Sequence, residues 1–167
     1  MNRKVLLLIF VVFIAIVLKT TVLSDFAFKG IKPDIILIMI IIISNFSGSY
    51  TGEIVGFSTG ILEDLLSMSP LGFNAFINTF IGYLSGITVG KIFLHPLIIT
   101  VFQVIIGTLI KSLLTFLLLL IFVNGKADSV YTLSFIFELL FNIIITPVIF
   151  FLLKTLKLLP LTTNSRF

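Results

Sequence analysis

The 167-residue chain has no cysteine and no tryptophan, one histidine, and charged side chains at only 11% of positions. Each shortage closes a class of function. Without cysteine there is no disulfide framework, thiol chemistry or cysteine metal site. A single histidine, His95 next to Pro96, has no second ligand beside it and builds no metal centre. No run of four basic residues supports nucleic-acid binding, although Lys and Arg outnumber Asp and Glu by 11 to 7. No Gly-rich phosphate loop, His-Glu-x-x-His or Gly-x-Ser-x-Gly motif occurs, so the common enzyme templates fail, and no cofactor is expected. The largest shortage is of polar exterior, because a water-soluble domain carries about 25% charged residues.

What is present is apolar. Hydrophobic residues make up 59% of the chain, and the mean hydropathy is +1.30. The surface must therefore face lipid. One integral membrane domain over residues 1–167 is expected, all-α, because only helices or closed barrels satisfy the backbone in lipid. At about 20 residues per crossing, six spans fit, at about 5–23, 33–44, 51–66, 71–90, 96–123 and 131–153. Arg3-Lys4 before an apolar run resembles a signal peptide, but no small-x-small cleavage site follows, so an uncleaved first helix is expected. Pro33-Asp34 opens span two, Asn45 to Tyr50 reads as a polar turn, Asn124 to Asp128 as another, and Pro147 as a kink in span six. Asn45-Phe46-Ser47 fits the glycosylation pattern, a match common by chance. With both termini in the cytoplasm, Arg3, Lys4, Lys91, Lys154, Lys157 and Arg166 lie inside, against Lys19, Lys29, Lys32 and Lys126 outside. This majority favours a cytoplasmic placement of both termini.

Two ladders of period four stand out. Gly52, Gly56, Gly60 and Asp64 share one face of span three, because residues four apart lie one above the other. After Ser69-Pro70-Leu71-Gly72-Phe73, a second ladder runs Asn74, Asn78, Gly82, Gly86 and Gly90 along span four. Pro70 and Gly72 predict a tight antiparallel hairpin whose small residues bring two backbones close. Asp64 continues the glycine face and can accept hydrogen bonds from a helix, a loop or a ligand. Glu63 points about 100° away, and the pair also reads as two interfacial carboxylates. Asn74 and Asn78 either bond to span three and the 67–73 loop or meet a ligand. Lys111 and Glu138 lie about 18 Å and about 10 Å from the facing ends of spans five and six. An intramembrane ion pair is the expectation, with an ion pathway as the alternative. Glu53 suits a helix N-terminus, and Gln103 and Asn142 suit interhelical bonds. The phenylalanines read as lipid-facing or packing residues.

Pro33-Asp34, Gly52-x3-Gly56-x3-Gly60-x3-Asp64, Ser69-Pro70-Leu71-Gly72-x-Asn74 and Gly82-Tyr83-Leu84-x-Gly86 together resemble the rod shape-determining MreD family. The motifs cover about residues 30–90, and size and hydropathy extend the likeness. Glu63 departs from the pattern, where an apolar residue is more usual. The resemblance implies a non-enzymatic subunit of the bacterial inner membrane, in the elongation machinery that builds peptidoglycan. It implies MreC as partner through a membrane helix, alongside RodA, a class B penicillin-binding protein and MreB, and a fold similar to the S-components of energy-coupling-factor transporters. Three functions follow as expectations. One is a scaffold whose span-three glycine slot receives MreC's helix. Another is a small-molecule carrier with a pocket lined by Asp64, Asn74 and Asn78. The last is an ion-coupled channel through Lys111 and Glu138.

Overall fold

The computed structural model describes residues 11–17, 33–67, 70–88, 95–122, 130–156 and 158–159, with the backbone alone at 119–122 and 130–134. Most of the first span, Ser69, Gly90, Lys91, the lysines of the first loop, the 124–128 turn, Lys157 and Arg166 lie outside them. The described residues form helices and no strand. They are α1 (residues 11–17), α2 (Ile35–Ser47), α3 (Ser49–Ser67), α4 (Phe73–Ile87), α5 (Pro96–Phe122) and α6 (Val130–Thr155). Two segments, Pro96–Leu118 and Phe135–Thr155, are long and apolar enough to cross a membrane.

The centre is α2. Every residue from Ile36 to Ser44 is buried, as expected of a helix that is apolar all round. It touches α3, α4, α5 and α6, and Val12, Ala15 and Ile16 of α1 join the same core. At 13 residues it is about 20 Å long, shorter than the hydrocarbon core of about 30 Å. Asp34 caps it, accepting the Leu37 N–H at 3.3 Å.

The polar turn expected over 45–50 is instead helical apart from Gly48. The reason is local. Gly48 takes φ 88°, open to glycine without strain, and donates its N–H to Ser44 O at 2.9 Å. Its own carbonyl accepts from Gly52 N–H at 3.0 Å. One residue therefore ends α2 and starts α3. Helix α6 continues through Pro147.

Helices α3 and α4 share the most extensive contact of the bundle. They are antiparallel across Pro70-Leu71-Gly72, with Gly72 at φ 97°. On their outer sides, α5 and α6 present Phe102, Leu113, Ile144 and Val148, all exposed.

Candidate functional site

The glycine ladders of α3 and α4 face each other. A Cβ placed on Gly52 would land on the Gly82 carbonyl and the Ser44 hydroxyl. One on Gly56 would land on the Asn78 carbonyl, and one on Gly60 on the Ala75 backbone. From the other side, Gly82 meets the Gly52 carbonyl and Gly86 the Ser49 backbone. Apart from the Ser44 hydroxyl, the obstacles are main-chain atoms, which cannot rotate away. The slot assigned above to MreC's helix is thus filled by the protein's own α4, and that assignment is corrected here. The period-four spacing marked a close helix contact, and the contact is internal.

The hairpin is locked at its turn by Asp64, which is buried. Its carboxylate accepts the backbone N–H groups of Gly72 at 2.8 Å, Asn74 at 2.9 Å and Ala75 at 3.3 Å, and the Asn74 side-chain amide at 2.9 Å. Helix N-termini leave N–H groups without intrahelical partners, and a carboxylate there also suits the macrodipole. Gly72, at the cap position, has no side chain to serve α4, so a residue of the preceding helix takes the role. Phe73 N–H turns to Pro70 O at 3.1 Å. Glu63 is also buried and accepts the Asn78 amide at 2.6 Å. The two adjacent carboxylates therefore both turn inward, each toward one asparagine of the α4 ladder. The sequence reading weighted Asp64 over Glu63. The longer Glu63 side chain bridges the angle that separates the two positions.

A second cluster joins three helices. Lys111 on α5 donates to Asp34 Oδ2 and to Glu138 Oε1 on α6, the latter at 2.9 Å. Asp34 is 3% exposed, Lys111 20% and Glu138 26%, so Glu138 is the outermost member. Below them, Asn142 Oδ1 accepts the Asp34 N–H at 2.7 Å, and its amide donates to Thr108 Oγ1 at 3.1 Å. The sequence foresaw the Lys111–Glu138 pair but not Asp34 or Thr108. Two spacings carried the signal, since Thr108 and Lys111 share a face of α5, and Glu138 and Asn142 a face of α6.

At the opposite end, Gln103 donates to Ser85 O at 3.1 Å and to Thr88 Oγ1. Thr88 Oγ1 in turn donates to Asn45 Oδ1 at 3.5 Å, and Asn45 Nδ2 to Thr100 at 3.4 Å. Among the described residues, no group of three His, Cys, Asp or Glu side chains has metal-binding geometry.

Among the described residues, then, helices packed through glycine faces carry buried polar groups bonded to one another, and two of these helices are apolar and long enough to cross a membrane. The model of the rod shape-determining protein MreD family matches residues 1–156, and the chain belongs to that family. It is thus a membrane protein with a role in rod shape determination, from a family not known for enzymatic activity. Comparison with curated proteins and with solved structures returned no match.

Proposed function

We propose that this chain is a non-enzymatic subunit of the bacterial inner membrane that holds MreC by its membrane helix. Through MreC it helps position or regulate peptidoglycan synthesis by RodA and a class B penicillin-binding protein beside MreB. Six helices cross the membrane, with both termini in the cytoplasm and the α3–α4 turn outside. The observation that carries this reading is where the polar side chains go. Asp64, Glu63, Asn74, Asn78, Lys111 and Asn142 all bond across helices, which makes a rigid body of apolar exterior suited to holding another membrane segment. The carrier reading is less favoured, since Asp64, Asn74 and Asn78 bond within the hairpin. Similarity to transporter S-components stays part of that second reading.

Co-expression with MreC, followed by detergent extraction and purification through a tag on this chain, is the test. MreC should be recovered with the wild-type chain. Absence of MreC from a folded, membrane-inserted preparation would overturn the proposal.

A further inference from the structure

Glu138 is the member of the α2–α5–α6 cluster that the fold uses least. Its Oε1 shares Lys111 with Asp34, and Asp34 is the more deeply buried of the two carboxylates. Its Oε2 receives no hydrogen bond from any described residue, and 26% of its side chain is exposed. Glu138 nevertheless lies inside the apolar segment Phe135–Thr155. A carboxylate held there by one shared contact is costly, and such residues mark functional positions.

We propose that Glu138 is the anchor point for a Lys or Arg on a partner's membrane helix. This rests on the partner-holding reading given above and names the face it uses. Along α6, Phe137, Phe141, Val148 and Leu152 fall on one strip, at spacings that return to the same side. Three of them, Phe137, Val148 and Leu152, are exposed, and Glu138 borders the strip. A helix lying along it buries apolar surface over several turns and brings a cation to the second carboxylate oxygen. The position, about 12 Å along α6 from its start at Val130 at 1.5 Å per residue, lies in the half of the helix nearest that end, where a basic side chain on a neighbouring span snorkels toward the interface. Charge complementarity selects this occupant over a second copy of the chain, whose own Glu138 would bring like charge to the same place, and over acyl chains, which offer no donor.

The test uses the full chain co-expressed with MreC. Glu138→Gln leaves the Asp34–Lys111 pair intact, so the isolated chain should keep its thermal midpoint while recovered MreC falls at least about tenfold, the loss of one charge-assisted contact. A photocrosslinking amino acid at Phe137 should capture MreC, and the same probe at exposed Phe57 on α3 should not. Full MreC recovery with Glu138→Gln overturns the inference. So does a lowered midpoint of the isolated variant, which would make Glu138 a folding contact. Crosslinks from Phe57 alone, or from Phe137 to a second copy of this chain, also overturn it. Failure of the wild-type chain to recover MreC removes the functional proposal itself, whereas recovery indifferent to Glu138 removes only the docking face.

Discussion

Among the described residues the Asp64 carboxylate accepts from four donors on the turn and the start of α4. Replacing it with Asn keeps the shape but removes the charge and turns one acceptor into a donor that faces backbone N–H groups. Asp64→Asn should therefore cost about 1–3 kcal/mol, the range for a buried group left unsatisfied. Thermal unfolding in detergent, with Asp64→Glu for comparison, measures it. Lys111 sits in a different balance. Truncating it leaves Asp34 and Glu138 facing each other without their shared cation, and breaking a buried pair costs about 3–5 kcal/mol. Lys111→Met should destabilise by the lower end of that range, because Lys111 is 20% exposed. Adding Asp34→Asn to that variant should recover part of the loss. Recovery through Asp34 would show that these two residues share one interaction, as their contact implies.

At the scale of elements, the α3–α4 hairpin is the unit. Gly52, Gly56, Gly60, Gly82 and Gly86 have no room for a side chain, since the nearest atom to each is backbone of the facing helix. Gly56→Leu or Gly60→Leu must push the two helices apart, and overpacking of this kind costs at least about 1–3 kcal/mol. The expected result is loss of the monodisperse folded chain on size exclusion in detergent, with or without MreC. Phe57→Leu, on the exposed side of the same helix, should behave as wild type, within about 0.5 kcal/mol. A folded Gly60→Leu chain that had lost only MreC would restore the glycine slot as a docking site. The hairpin was legible in the sequence because period four is a helix signature and Pro70 with Gly72 dictates reversal. The helical continuity through 45–50 was not, because Asn45, Ser47 and Ser49 carry turn composition while only Gly48 leaves the helix.

The molecule as a whole is organised around a short, buried α2 with its polar clusters at the two ends. One end holds Asp34, Lys111 and Glu138, and the other Asn45, Thr88, Thr100 and Gln103. Its proposed orientation is testable because the chain has no cysteine. Leu71 is 74% exposed at the α3–α4 turn, and Ser47 is exposed at the opposite end. A cysteine at Leu71 should react with a membrane-impermeant maleimide in intact spheroplasts, and one at Ser47 only after lysis. The reverse pattern would invert the topology.

Residue types and their spacing alone pointed to the apolar, helical character of the chain, the α3–α4 hairpin and a pairing of Lys111 with Glu138, because these depend on composition and on neighbours within a turn or across one reversal. Tertiary structure alone decided who occupies the glycine groove and which carboxylates are spent. Asp34 reaches Lys111 across 77 positions, and Glu63 turns inward only because α4 lies against it with Asn78 in reach. Contacts of that separation depend on how helices are arranged around α2, which no local periodicity encodes.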